Sequence, residues 1–303
     1  MTHHRFLAWA LAVLIGLFLL LAVLNYWPQY KLTNISGRLS VAATIFPLAD
    51  IAKNIGGEYV DVFMILPPGA SPHTFQPTPK DAADLSKTKL VFKIGHGLDD
   101  WVDSLAASTE QSTVITVDSD IQIRHMEAHD GEPAGDDPHY WLSAANAKII
   151  AKTIANELSA KDPAHKDAYS ANLEAYTKLL DVLDTQIKNQ LSSLPHKELI
   201  VFHDAWGYFA DAYGLQIVGM FEPSPGKSPA PQDIANLNNL VKQFGIKTIF
   251  LEPQLSDQSI LPFTQDTGTQ NVRIDPIGGT DQINSYIKLM RANADAIYNA
   301  LLK

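Results

Sequence analysis

Apolar positions along this chain fall into two kinds of block: short unbroken runs, and longer stretches where they recur every three or four residues. Leu39 to Ala43, VDVFMIL from Val60, LVFKIG from Leu90 and VITVD from Val114 read as strands bounded by turn residues. Between them, FPLADIAKNIGG reads as a short helix closed by its glycines, and PTPKDAADLSKTK as one with Pro79 near its start. SAANAKIIAKTIANELSAKD follows as a helix with Ser143 at the N-cap. After residue 195 the alternation resumes, with KELIVF, LQIVGMF, IKTIFLEP and NVRI as strands, and HDAWGYFADAYG and DIANLNNLVKQFG as helices. Strand and helix in alternation imply an α/β fold with mainly parallel sheets.

The segment between these two sets is different. Asp162 and Pro163 open a stretch whose apolar stripe, Tyr169, Leu173, Tyr176, Leu180, Leu183, Ile187 and Leu191, keeps helical spacing throughout. Asp162 is expected to cap it. At 1.5 Å per residue it makes a rod of roughly 40 Å, long enough to join two lobes. PTPKDAADL and SPAPQDIANL match around Asp81 and Asp233, an internal echo that marks the two lobes as related. The expected organisation is a tether over residues 1–38, an α/β lobe over 39–161, a backbone helix over 162–194 and a second α/β lobe over 195–303.

Composition narrows the class. The chain of 303 residues is 46% apolar and carries a formal net charge of −10, which argues against nucleic acid and mildly favours a cationic ligand. Cysteine is absent, so disulfides, thiolate metal sites and a lipid-modified N-terminal cysteine are excluded, and a metal must be held by nitrogen and oxygen. Residues 6–24, FLAWALAVLIGLFLLLAVL, are uncharged and long enough to span a bilayer. The following AVLNYWP is a poor cleavage site, which favours an uncleaved anchor over a cleaved signal. Arg5 is the one basic residue before the run, and it puts the rest of the chain outside the cytoplasm, in the periplasm or on the cell surface.

Candidate chemistry lies in the loops. PPGASPHTFQPTP brackets His73 with prolines that restrict the backbone on both sides. His73 follows one strand, His203 another and Asp275 a third; His139, in DDPHYWLS, precedes the helix at Ser143. Ligands of open parallel sheets bind beyond the carboxyl ends of the strands, so a site between two lobes would collect all four. Taken singly, each has an ordinary reading as a cap, packing or turn residue. Together they point to a metal site. His203 also stands before Asp204, which is expected to cap the next helix.

The ordered stretches PHTFQPTPKDAADLSKTKLVFKIGHGLDDW, DPHYWLS, NLEAYTKLLDVLD, VFHDAWGYFADAYG, IFLEPQLS and IDPIGG resemble the metal-binding solute receptors of ABC-type zinc and manganese importers, from about Leu39 to the last residue. The resemblance implies two lobes joined by one long helix, no enzymatic activity and small lobe movements. It also implies His73, His139, His203 and Asp275 as ligands, Glu252 as a support, and a membrane permease as partner, with zinc carriers as further ones. A monomer is expected.

Three imidazoles and a carboxylate suit tetrahedral Zn²⁺ as the transported ion, with Mn²⁺, which prefers more oxygen, the second choice. The loop from His125 to His139 adds Glu127, His129, Asp130, Asp136 and Asp137, a set that either captures metal weakly or is an ordinary solvated acidic loop. His96 has no counterpart in the resemblance and no assigned role. A zinc hydrolase would need an open metal position and a general base; HExxH is absent and Asp275 fills the fourth place. A surface adhesin is compatible with an anchored exterior chain, but no residue pattern argues for it.

Overall fold

The computed structural model describes residues 37–109, 112–126, 135–222, 228–254, 258 and 260–302. The apolar segment 6–24, with the expected anchor, lies outside them, as do Glu127, His129 and Asp130. Arg38 to Lys303 form one compact unit.

Among the described residues eight strands make two parallel sheets. The first is built from β1 (Leu39–Ala43), β2 (Val60–Met64), β3 (Leu90–Lys93) and β4 (Thr113–Thr116), in the order β2-β1-β3-β4. A two-stranded antiparallel ribbon follows, β5 (His125–Met126) with β6 (Gly135–Asp136). The second sheet uses β7 (Glu198–Val201), β8 (Gln216–Met220), β9 (Thr248–Leu251) and β10 (Gln270–Arg273), in the order β10-β9-β7-β8. Counted from its own first strand, each sheet has the same order, with the second strand outside the first and the third and fourth on the other side. The echo between the two halves is therefore topological as well as local. Each sheet reverses direction beside its first strand, and there the loops from the carboxyl ends diverge and leave a crevice.

Among the described residues nine helices cover the sheets: α1 (Phe46–Gly56), α2 (Pro79–Leu85), α3 (Trp101–Ala107), α4 (Ala144–Lys161), α5 (Lys166–Ser192), α6 (Gly207–Tyr213), α7 (Pro231–Phe244), α8 (Leu261–Thr267) and α9 (Tyr286–Leu301). With helices on both faces, β3 and β9 are buried at every position, which is why they read as unbroken runs. The echoed stretches begin equivalent helices. Pro79 and Pro231 are the first helical residues, and the carboxylates of Asp81 and Asp233 each accept a backbone N–H three residues back, from Thr78 and Ala230 at 2.7 Å.

The long helix buries Tyr169, Tyr176, Leu180, Leu183, Ile187 and Leu191. It packs on α1 and α4 from the first half and on α6 and α9 from the second. One apolar cluster consequently runs through both sheets and the helix, from Val41 and Phe92 through Leu183 to Val201, Phe250 and Ile297. Side chains clamp the halves further. Trp141 Nε1 donates to the Pro276 carbonyl at 2.7 Å, Tyr286 Oη to the Trp141 carbonyl at 2.7 Å, and the Tyr286 N–H to Asp50 at 2.8 Å.

Two expected caps are not formed. Pro163–His165 is a separate 3-10 turn, and Asp162 instead accepts from His165 Nδ1 and Tyr169 Oη, both at 2.7 Å. Asp204 does not cap α6, which starts only at Gly207; the Ala205 N–H closes a tight turn on the His203 carbonyl at 2.9 Å. A Cβ on Gly207 would displace the Arg124 guanidinium that holds Asp137. Helices α3, α8 and α9 were not anticipated. The first two are only seven residues each, and α9 has its buried face, Leu289, Met290, Ala294 and Ile297, diluted by a buried Asn293.

Leu183→Ala removes a buried side chain from the shared core and is expected to cost about 2–5 kcal/mol. Val182→Ala, one residue away and 54% exposed, should change stability by less than about 0.5 kcal/mol. Denaturant unfolding of the metal-free variants checks both; equal effects would remove the long helix from the shared core.

Candidate metal centre

His73 lies in the loop after β2, His139 in the segment between β6 and α4, and His203 in the turn after β7. The fold brings all three together: a ligand nitrogen from each lies within 4.8 Å of the others. Nε2 of His73 and Nε2 of His139 are 3.2 Å apart. The ring centroids form a near-regular triangle with sides of 5.3, 5.6 and 5.3 Å. Two nitrogens bound to one tetrahedral metal at about 2.0–2.1 Å stand roughly 3.3 Å apart, so little movement is needed to admit an ion. The cavity among the rings measures about 10 Å³, enough for one water or one ion. Its other walls are Ser71, Pro72, Trp141, Glu252, Gln254, Pro276 and Ile277.

Each imidazole is aimed by its surroundings. His73 sits in its proline bracket with the Pro72 carbonyl accepting from Trp101 Nε1 at 3.3 Å, while Trp101 stacks edgewise on Phe75. His139 is fixed by Asp137, whose Oδ1 lies 3.0 Å from both the His139 N–H and Nδ1, leaving Nε2 to face the cavity. Asp137 is fully buried and held in turn by Arg124 Nη1 at 3.2 Å. Tyr208 of α6 links this arm to the other half, accepting from the Arg124 N–H at 2.8 Å and donating to the Asp137 carbonyl at 3.3 Å. Nδ1 of His203 lies 2.8 Å from Glu252 Oε1, close but not aligned as a hydrogen bond, and the same oxygen accepts from Trp206 Nε1 at 3.1 Å. Nε2 of His203 is buried with no hydrogen-bond partner. A buried nitrogen without a hydrogen-bond partner, beside two other imidazoles, fits a donor kept for a cation.

Asp275 stands apart from this group. Its Oδ1 accepts from Gln254 Nε2 at 2.7 Å and from the Ile277 and Gly278 N–H groups at 2.9 and 3.0 Å. Its own N–H donates to Asn293 at 2.8 Å. The carboxylate is buried behind Gln254, Pro276 and Ile277, all of which reach the cavity.

The proton balance follows from burial. Burial and the neighbouring His139 and His203 push His73 down to about 2, and burial with His203 holds His139 well below the ordinary range. Burial opposes a proton on His203 too, but Glu252, then Asp204 and Glu222, outweigh it and raise this residue. Burial lifts Asp137 to about 6 against the pull of the His139 N–H and Arg124. Two of the three rings are thus preset as neutral ligands.

Sequence reasoning had reached Glu252 but missed the part Asp137 plays. Asp137 belongs by sequence to a loop that either captures metal weakly or is ordinary solvated acid, whereas it is buried against His139. Its placement two residues before the histidine and directly before Pro138 was the available signal. Gln254, adjoining the EP pair, was also overlooked.

The chain matches the family described as zinc-uptake complex component A, periplasmic (ZnuA), over residues 41–300. It belongs to that family. Among its relatives, the "Manganese ABC transporter substrate-binding lipoprotein PsaA" of Streptococcus mitis is 34% identical over 97% of this chain and 99% of its own. A crystal structure of ZnuA superposes with a TM-score of 0.79 at 31% identity, covering 87% of this chain and 99% of its own. A ZnuA deletion mutant with zinc bound gives 0.79 at 30% identity, covering 88% and 99%. As a ZnuA-family protein, the chain is the metal-binding receptor of an ABC importer, acts outside the cytoplasm with membrane permease and ATPase components, and is not an enzyme. Among the described residues, no helix is long and apolar enough to cross a membrane.

The depressed pKa values of His73 and His139 carry a sign. Below about pH 6.5 the unfolded chain takes up protons at these rings that the folded chain refuses, so stability present above that pH is lost on acidification. His203, raised, is already protonated through this window in the folded metal-free protein. Each depressed histidine alone should cost metal-free protein about 1 kcal/mol between pH 6.5 and 5.5, offset in part by His203 and Asp137, whose raised pKa values favour the folded state as the pH falls. His73→Asn should make the net loss smaller by about 1 kcal/mol. Urea midpoints at the two pH values measure it, and equal losses in both proteins would contradict it.

Proposed function

We propose that this receptor captures Zn²⁺ between its lobes, divided at residues 39–161 and 195–303, and hands it to the permease. The observation carrying this reading is the triangle of imidazoles around a single-ion cavity, His139 and His203 each backed by a buried carboxylate. His73, His139 and His203 supply three nitrogens through rings that need little rearrangement. Asp275 supplies the fourth ligand: with Oδ1 committed to three donors, Oδ2 is the oxygen it offers the ion. Asp137 and Glu252 fix ring orientation and raise ligand basicity. Buried acids around neutral rings favour a divalent cation, and loading it displaces the proton from His203.

Manganese is the second reading, favoured by the name of the streptococcal relative. The nitrogen-rich set argues for zinc, since manganese prefers harder, oxygen-rich, higher-coordinate sites. The separation of 3.2 Å between Nε2 atoms suits either ion, so the donor types carry the distinction.

The streptococcal relative is named a lipoprotein, but these 303 residues hold no cysteine to lipidate. Residues 6–24 serve instead as an uncleaved anchor. The receptor works as a monomer and accepts zinc from other carriers.

Metal-depleted protein should take up one tight Zn²⁺ in the interlobe site. His203→Glu should lower the preference for Zn²⁺ over Mn²⁺, measured as the ratio of dissociation constants, by about tenfold or more while the chain stays folded. The intrinsic affinity order still favours zinc, so the ratio is the quantity to compare. An unchanged ratio in folded variant protein would remove His203 from the ligand set and overturn the zinc site.

A further inference from the structure

Gly207 is an unfavourable residue for the first turn of α6. Its φ is not left-handed, so the backbone does not require glycine there, and glycine weakens a helix relative to alanine. Space is the reason for it: a Cβ at this position would run into the Arg124 guanidinium and crowd Asp137 Oδ2. The helix forgoes a side chain so that an arginine from the first half can lie against its start.

Arg124 comes directly before β5. Its Nη1 donates to Asp137 Oδ2 at 3.2 Å, its Nε pairs with Asp211 Oδ2 of α6 at 3.1 Å, and the guanidinium carbon lies 5.7 Å from the centre of the Tyr208 ring. The backbone takes part as well: the Arg124 N–H donates to Tyr208 Oη at 2.8 Å, and the Arg124 carbonyl accepts from the Asp137 N–H at 2.8 Å. The two ion pairs are unequal. Asp211 is 67% exposed, so its pair is screened by solvent and worth little by itself. Asp137 is fully buried, and removing the guanidinium would leave a buried charge short of its partner.

Both sides of this contact lead to a ligand. Asp137 divides its carboxylate, with Oδ1 on His139 and Oδ2 on Arg124. The helix start that seats Arg124 continues from His203 through Trp206, whose Nε1 donates to the Glu252 carboxylate beside His203. One side chain thus links the acid behind His139 to the segment that carries His203. We infer that Arg124 is a positioning residue of the metal site: gripping Asp137 and α6 together, it holds the His139 and His203 rings at the spacing one ion needs and slows the ion's escape. The inference rests on the reading of His139 and His203 as ligands. Arg124 acts through Asp137, not on the ion. Without the guanidinium, Asp137 loses the group that fixes its second oxygen, and the His139 arm loses its tie to α6. A preset shell binds with less reorganisation, so the loss falls on metal affinity, through faster dissociation.

The test measures Zn²⁺ affinity, and the rate of Zn²⁺ release to a chelator by stopped flow, in full-length protein in detergent with Zn²⁺ alone. Arg124→Met, which keeps a long side chain and removes its charge, should weaken the affinity by about tenfold or more, with most of the change in the release rate. Gly207→Ala, which crowds the guanidinium out and leaves Arg124 in the chain, should move both quantities in the same direction. Because the two substitutions act through one guanidinium, the double variant should release zinc within about twofold of Arg124→Met, well short of the product of the single effects. A purely structural role would lower the urea midpoint and leave the release rate alone. His139→Ala, measured alongside, should lose the tight site; unchanged tight binding in it would overturn the ligand reading and this inference with it. Where His139→Ala does lose the tight site, a wild-type release rate in either folded variant, or effects that multiply in the double variant, would overturn the role of Arg124 alone.

Discussion

Three imidazole rings crowd into one cavity, where Nε2 of His73 faces Nε2 of His139 and Nε2 of His203 has no hydrogen-bond partner. Bringing them there desolvates three polar rings, and two face one another at 3.2 Å. Such an arrangement does not assemble spontaneously from flexible loops. It persists because the rest of the structure leaves the rings few alternatives: prolines bracket His73, Asp137 clamps His139, and the turn closed by Ala205 aims His203. The failure of Asp204 to cap α6 belongs to the same constraint, since a helix beginning one turn earlier would change the path of the residue that carries His203.

Rigidity at the site depends on rigidity between the halves. The first sheet and the segment before α4 bring His73 and His139; the second sheet brings His203, Glu252 and Asp275. A cavity of single-ion size between such sources tolerates little relative movement. The shared core along α5 and the clamps through Trp141, Tyr208 and Tyr286 cross the same boundary that the site crosses. Gln254 and the Ile277 and Gly278 N–H groups hold one oxygen of Asp275, the fourth ligand in the proposed site.

Much of this was legible in the sequence wherever a strong local pattern coincided with the global fold. The strands β3 and β9 are unbroken apolar runs because both faces are covered, and α5 announced itself through seven apolar positions at helical spacing. Asp81 and Asp233 could be matched because they perform the same local task at two helix starts. The three histidines stood out because strand ends in parallel sheets are where ligands gather. What escaped notice depends on distance rather than sequence. Asp137 looked like a member of an acidic loop, and only its burial against His139 and Arg124 reveals its task. Asp162 looked like a cap, but Tyr169, one helical turn into α5, claims its carboxylate. His96 carried no local signal, because Asp118 and Asp136 reach it from segments 22 and 40 residues away.

The central claim is that the interlobe imidazoles hold the metal. X-ray absorption at the zinc edge, on protein loaded with a single equivalent, tests it most directly. The account predicts four light-atom neighbours at about 2.0–2.1 Å, with the multiple-scattering signature of three imidazoles and one oxygen. A first shell dominated by oxygen, with one imidazole or none, would contradict it.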